Sequence, residues 1–465
     1  SLSTILMICP LLYAPHGGIG EQVVFGLVFI LVLVYIYGLT QSRTLAQSSR
    51  EKRGQLSIDN LFNLWMWGGW IALGGAICSL IPLPWSLVEI SAPKSYKAWH
   101  RLFELLDISE HERWMTLSVS PANSWRWSLT QLCWLMTVYC TAQVRGVRKP
   151  LLWSLVFLGP CLSLIALVHL LTETSLIYGF IQPLDRVDLS GFITPLINPN
   201  HAASLMMLSA FISVGMTQSL VSENLTRSTH QLKVMLGGLS VLLCTIGLYF
   251  TQSRAAWVIY ISFMSVWFCR HRLTSAANRY LVITISLFIG VILPLILILA
   301  VDASCYGPLD TIKAGTWSAS IPLIFDYFPM GSGRGSFGEV FTQYQTFDVI
   351  GWISEAENFF IQTLSEGGLV GLLSLIFNLL AWWAWWKTPN VRDHPVAFSI
   401  GLGVTAIGLH QQYDFGVEHS HVAVIFAVAW GLMWSYQPRL NLRIASGQSS
   451  HLLDKGSQRY KGHRY

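Results

Sequence analysis

The sequence predicts an all-α integral membrane protein with about twelve transmembrane helices and a large outer loop. Two observations carry this. The chain of 465 residues is 53% hydrophobic and only 11% charged, with a mean hydropathy of +0.50. Its charges are also segregated. Short gaps at 40–59, 145–149, 221–233, 270–279 and 387–393, with the tail 437–465, hold 20 of the 29 Lys and Arg residues but 5 of the 24 Asp and Glu residues. Basic residues concentrate on the cytoplasmic side of membrane proteins. These gaps are therefore read as cytoplasmic, and the longer acidic gaps as facing the other side.

Span positions follow from length, because a hydrocarbon core of ~30 Å needs about 20 apolar residues in a helix. Crossings are expected at 1–14, 22–39, 60–82, 124–144, 150–174, 197–220, 234–251, 255–270, 280–301, 358–386, 394–412 and 420–436. An even number returns the chain to the cytoplasm, where Arg439, Arg443, Lys455, Arg459, Lys461 and Arg464 would lie. A cleaved signal peptide is a poor reading of 1–14, since another apolar run follows at once. Many of the 20 Trp residues fall near span ends, among them Trp65, Trp67, Trp70, Trp85, Trp153, Trp382, Trp383, Trp385 and Trp386. Aromatic girdles at the headgroup level account for them. The net charge of +5 resides in cytoplasmic gaps, so it argues for anionic lipid as the partner, not nucleic acid. The eight Cys include no CxxC pair, and Cys78, Cys133, Cys140, Cys161 and Cys244 read as buried thiols. Cys305 is placed outside without a convincing partner.

The chain divides into 1–301 (nine spans), 302–357 (a large outer loop), 358–436 (three spans) and a basic tail, 437–465. Within the first part, 83–123 reads as an amphipathic surface segment. Trp99, Leu102, Phe103, Leu105 and Leu106 recur at near-helical spacing among Lys97, Arg101 and Glu104, as in a helix lying on the outer leaflet. In 302–357 a short helix fits Thr316–Phe328. The Gly331–Gly335 run must be a loop.

Ionisable residues held against the membrane are costly and are therefore functional candidates. Four outer clusters qualify. Arg186 lies in the first, followed by Asn198-Pro199-Asn200-His201 at a span start. Asn198 reads first as a helix cap, and Arg186, Asn200 and His201 as an anion site. The second is Thr251-Gln252-Ser253-Arg254. Arg254 is the only basic residue between 234 and 269, and its planar fork suits phosphate better than it suits snorkelling alone. The third is the glycine loop around Arg334, whose successive N–H groups can form an anion nest. It lacks the Lys-Ser/Thr ending of an ATP-binding loop. The fourth is Glu355-Ala356-Glu357-Asn358, where Glu357 is either a general base or a helix-start carboxylate. His410, Asp414, Glu418, His419 and His421 crowd a further turn, with no spacing typical of a metal site.

The order of these motifs resembles the bacterial O-antigen ligase and O-antigen polymerase superfamily, which includes O-linked protein oligosaccharyltransferases. The residues concerned are Gly191-Phe192, Asn198–His201, Ser253-Arg254-Ala255, the Pro329–Phe337 glycine motif, Glu357-Asn358 through Gly368, and His410 with Asp414-Phe415. The resemblance runs from the early spans to about residue 435. It implies a fold similar to C-type glycosyltransferases, with a large periplasmic loop over an outward cavity in the bacterial inner membrane. It also implies transfer of a glycan from an undecaprenyl-pyrophosphate carrier to a glycan, lipid or protein acceptor, with no nucleotide sugar, metal or other cofactor. On that pattern Arg254 grips the pyrophosphate, assisted by Arg186 and Arg334. The catalytic pair would be Glu357 and Arg254, with Asn200, His201, Asn358 and His410 in the binding site. One departure is clear: many members carry His-Asn where this chain has Glu357-Asn358. A transporter or lipid flippase remains the alternative, although ionisable residues cluster on one side and no two-half symmetry is visible. A non-catalytic membrane subunit is a third reading. Cysteine-accessibility labelling is expected to find position 334 unreachable from the cytoplasm and both termini on the cytoplasmic side; access to 334 from the cytoplasm would reverse the topology.

Overall fold

The computed structural model describes residues 58–108, 114–143, 148–182, 194–222, 228–272, 308–348, 352–388 and 394–436. Expectations for 1–57, 183–193, 273–307 and the tail, including three of the twelve spans, Arg186 and Cys305, lie outside the described residues. The described chain is an all-α membrane protein. Its helices are α1 (Ile58–Cys78), α2 (Trp85–Ser91), α3 (Pro93–Leu105), α4 (Pro121–Gln143), α5 (Arg148–Leu171), α6 (Pro199–Ser222) and α7 (Ser228–Phe250). They continue as α8 (Arg254–Arg272), α9 (Pro308–Tyr327), α10 (Phe337–Phe341), α11 (Phe359–Lys387), α12 (Pro395–His410) and α13 (Ser420–Ser435). A two-stranded ladder pairs β1 (Leu83–Pro84) antiparallel with β2 (Trp114–Met115).

Among the described residues four helices are long and apolar enough to cross a membrane: Arg148–Leu171, Pro199–Val221, Gln231–Phe250 and Phe359–Lys387. Pro395–His410 and Ser420–Ser435 are apolar but shorter. Their surfaces fit lipid as solvent. On α7 the exposed residues Leu232, Met235, Leu239, Leu242, Ile246 and Tyr249 follow one helical stripe. On α11 Leu369, Leu372, Leu373, Ile376, Leu379, Leu380 and Trp383 do the same. Apolar faces of this length would be a liability in water.

Inside, helices meet through small residues and side-chain-to-backbone bonds, the usual means of association where lipid is as apolar as leucine. The Ser209 hydroxyl donates to the Leu155 carbonyl at 2.6 Å and accepts from Gly159 N–H at 2.9 Å, joining α6 to α5. Ser240 on α7 donates to Val156 O at 2.7 Å. Ser374 on α11 donates to Gly68 O on α1 at 2.9 Å. Helices α6 and α12 pack along much of their length, and the core holds Met206, Phe211, Ile400, Val404 and Ile407.

Three expectations change in detail. The surface segment is helical at α2 and α3, but its apolar side chains divide. Trp99 and Phe103 pack on Val88 and Met115, while Leu102, Leu105 and Leu106 stay exposed beside Ile90 and Trp114. Cys140 and Cys244 are buried, whereas Cys78 is exposed at the end of α1. The loop helix is also longer than Thr316–Phe328, because Pro308 can start it and Pro322 is accommodated within it. It is tied to α3 by Lys94, whose ammonium lies 2.5 Å from Asp326, and Tyr344 donates to the same carboxylate at 2.7 Å. Hydrogen bonds from Lys94 and Tyr344 hold the Asp326 carboxyl below its ordinary range.

Helix α11 is kinked at Gly368 (φ 51°, ψ −131°). There Leu369 N–H donates to Pro329 O at 2.8 Å, and a side chain at 368 would collide with that Pro329 carbonyl. Gly368→Ala should therefore cost about 1–3 kcal/mol, read as a lower thermal unfolding midpoint in detergent. Gly367→Ala, which faces open space, should not lower it; equal midpoints for both variants would refute the close-approach account.

Candidate functional site

The Gly331–Gly335 loop lies on the α11 kink. Gly331, Gly333 and Gly335 all have positive φ (78°, 100° and 77°). The N–H groups expected to form a nest for an outside anion are used within the protein. Gly331 N–H donates to Tyr327 O, Ser332 N–H to Ser365 O and Gly333 N–H to Glu366 O. The anion that the loop does receive is the Glu366 carboxylate, which accepts from Phe337 N–H at 3.0 Å and from Gln362 Nε2 at 2.9 Å.

Arg334 completes this cluster. Its Nη1 lies 3.2 Å from Glu366 Oε2, and its Nη2 donates to Glu418 Oε1 at 2.5 Å. The guanidinium sits 4.2 Å from the centre of the Trp127 ring, and Trp127 Nε1 donates to Glu418 Oε2 at 2.9 Å. With 6% exposure, Arg334 is a buried cation held between two carboxylates. The cluster forms the polar end of a cavity of about 370 Å³. The cavity body is apolar, lined by Ala72, Ala76, Trp134, Val370, Leu379 and Phe426.

The other candidates meet at the end of α12. His410 is fully buried: its Nδ1 is 2.9 Å from Ser204 Oγ on α6, and its Nε2 is 3.3 Å from Ser253 Oγ just before α8. Arg254, the next residue, is exposed at the first position of α8. Asn358 is the cap of α11. Its Oδ1 accepts from Phe360 and Ile361 N–H, both at 3.0 Å, and its Nδ2 donates to Gln412 O at 2.8 Å. Phe359 N–H donates to Gln411 O at 2.9 Å. Asn198 caps α6 in the same manner, accepting from Asn200 N–H at 2.9 Å. Asn200 itself is half-buried in the first turn.

His201 and Asp414 form a buried pair, with Nε2 and Oδ1 3.4 Å apart. That separation allows charge attraction but not a well-formed hydrogen bond, and both Asp414 oxygens are without a hydrogen-bond donor among the described residues. Burial would raise the Asp414 carboxyl, but its interaction with His201, with smaller contributions from His410 and Lys313, holds it below its ordinary range. The His201 ring stands 4.5 Å from that of His419. Among the described residues no group of three or more His, Cys, Asp or Glu side chains is placed to hold a metal ion.

Glu357 is not the cap of α11. It precedes the cap in a left-handed conformation (φ 49°), a state that is uncommon outside glycine and asparagine. Its Oε2 lies 2.6 Å from Nζ of Lys313, and Lys313 also donates to Tyr413 O at 3.0 Å. Sequence reasoning missed Lys313, Glu366 and Trp127 as members of these clusters. Glu366 alone carried a signal, as a carboxylate inside an apolar run.

A scan of protein-family models and a search of curated proteins each found no match to this chain.

Removing one partner of a buried ion cluster strands the other, at a cost of about 3–5 kcal/mol. Arg334→Ala should lose stability on that scale in detergent unfolding, and adding Glu366→Gln should restore part of it. A single variant as stable as wild type would show that the cluster is not structural.

Proposed function

We propose that the protein is a membrane glycosyltransferase that moves a glycan from an undecaprenyl-pyrophosphate carrier to a hydroxyl acceptor at the periplasmic face of the bacterial inner membrane. One observation carries the reading. The turn from His410 to Asp414 gathers the starts of three helices, α6, α8 and α11, so that His201, Ser253 with Arg254, and Glu357 with Asn358 surround one bundle end. These residues come from separate outer clusters of the sequence, and their order resembles the O-antigen ligase and polymerase superfamily.

The chemistry asks for two groups. The bond between the anomeric carbon and the diphosphate oxygen breaks, and the diphosphate leaves with the electron pair. Positive charge must stabilise it, the role assigned to Arg254 with its planar fork. The acceptor oxygen forms the new bond to that carbon and gives up its proton, a role assigned to the half-exposed Glu357 carboxylate on this rim. Three helix starts facing the same place add their positive ends to the field that a diphosphate would meet. The apolar cavity beside α1 and α11 offers room for part of a prenyl chain.

The test is glycan transfer in membranes of cells that make the surface polysaccharide, read by immunoblot. Arg254→Lys should lower transfer by about 10²-fold while the protein still inserts, because a point charge lacks the two-pronged contact. Glu357→Gln should also lose transfer. Its unfolding midpoint should change little, since half-exposed ion pairs contribute at most about 1 kcal/mol. Near-normal transfer by Arg254→Ala would refute the assignment.

A further inference from the structure

Lys313 is an isolated lysine in the sequence, on a loop segment with no recognisable motif. The structure places it at the centre of the proposed site. It rises from the first turns of α9 and reaches both the α11 start, through Glu357, and the α12 end, through the Tyr413 carbonyl. It lies close enough to Asp414 to act on that buried carboxylate. Its side chain retains 24% of its exposure and that of Glu357 40%, so the pair stands at the surface of the site.

A purely structural account of this pair is weak. Helix α9 is already joined to the α11 start without it: Trp317 Nε1 donates to Ala356 O at 3.0 Å, and Leu323, Tyr327 and Ala356 share a small core with Phe337 and Phe341. The chain on both sides of Glu357 is likewise fixed. Ala356 N–H donates to Gln362 Oε1 at 2.7 Å, and Asn358 and Phe359 are bonded to Gln412 and Gln411. Half-exposed ion pairs add little to stability. A carboxylate nonetheless occupies a backbone position that favours glycine or asparagine. The lysine ammonium is also a compact charge suited to phosphate oxygens, which are stronger competitors for it than a single carboxylate.

We propose that Lys313 is a second diphosphate-binding residue of this site and that Glu357 is the internal anion that occupies it until the donor arrives. The identity of the diphosphate rests on the glycan-transfer reading above. On arrival, the donor diphosphate displaces the Glu357 carboxylate from Nζ of Lys313. The freed carboxylate then turns to the acceptor hydroxyl as its hydrogen-bond partner. Donor binding and release of the base become a single event, so that a proton acceptor is presented only when there is a leaving group to expel.

The arrangement makes an opposite-sign prediction for its two members. The full chain would be purified in detergent and titrated with farnesyl diphosphate, a short prenyl diphosphate, at constant salt. Inorganic pyrophosphate and farnesol would report the diphosphate and the chain separately. Wild type should bind both diphosphates. Lys313→Ala should weaken both by about tenfold or more, and Lys313→Arg should stay within a few-fold of wild type. Glu357→Gln should bind diphosphate more tightly, by roughly 3- to 10-fold, because the internal competitor is gone. Farnesol binding should not respond to any of the three. Equal affinity of Lys313→Ala and wild type would overturn the role of Lys313 while leaving the glycan-transfer reading in place. Unchanged or weaker binding by Glu357→Gln would overturn the competition. Should Lys313→Ala fail to fold, the gain in Glu357→Gln still decides the question. Wild type that binds neither diphosphate would overturn this proposal and the glycan-transfer reading together.

Discussion

A carboxylate buried about two turns into an apolar helix needs donors on every side, and Glu366 obtains them from parts of the chain that would otherwise be independent. It accepts from Phe337 N–H at the start of α10 and from Gln362 one turn earlier on α11, and it pairs with Arg334. Through Arg334 the same charge reaches Glu418, and through Glu418 it reaches Trp127 on α4. An unpaired buried charge is among the most expensive defects a fold can carry. The Gly331–Gly335 loop, the kinked α11 and the turn before α13 are therefore held in one relative placement by the need to satisfy Glu366. Glycines permit that approach: the bare backbone of Gly331 lies directly on Glu366 and Gly368, while Gly333 and Gly335, also with positive φ, pack against Ser118 and Asn123.

A separate constraint acts at the end of α12. Helices α6, α8 and α11 all start there, and each start carries free N–H groups and partial positive charge. Asn198 and Asn358 neutralise part of this by capping, and Asp414 and Glu357 bring negative charge to the same region. Asp414 is buried while Glu357 is half exposed, which divides the labour. Asp414 lies beside His201 in the interior, and Glu357 pairs with Lys313 at the half-exposed surface. The Arg334 cluster shows the contrast: its cation is buried between two carboxylates and a tryptophan face.

The sequence made the helices legible because hydropathy over about 20 residues reports burial in lipid directly. Each of the nine expected spans within the described residues overlaps a helix, from Ile58–Cys78 to Ser420–Ser435, and four of these helices are long and apolar enough to cross a membrane. The capping role of Asn198 was legible too, since Asn-Pro at a helix start is a local signal. Partnerships between distant segments were not. Arg334 and Glu418 are 84 residues apart, and nothing local marks them as a pair. Lys313 and Glu357 are separated by α9, α10 and the loop between them, so a sequence reading sees an unremarkable lysine and an ambiguous glutamate. The glycine loop was recognisable as a loop, but the acceptors of its Ser332 and Gly333 N–H groups are carbonyls on a helix that begins more than twenty residues later.

The three helix starts share a backbone device that bears on Glu357. Ile197, Gln252 and Glu357 each stand two residues before the first helical residue, and each is left-handed, with φ of 60°, 56° and 49°. The conformation is thus a common way of turning the chain into these helices, and it has no specific need for glutamate. Glycine or asparagine would adopt it at lower cost. What distinguishes the third start is the side chain carried there: an apolar one at 197, a neutral amide at 252 and a carboxylate with a lysine 2.6 Å away at 357. The backbone sets where the group at 357 projects, and the ion pair sets what it meets. A carboxylate there, with its own cation beside it, carries a charge that neither Ile197 nor Gln252 brings to the other two starts.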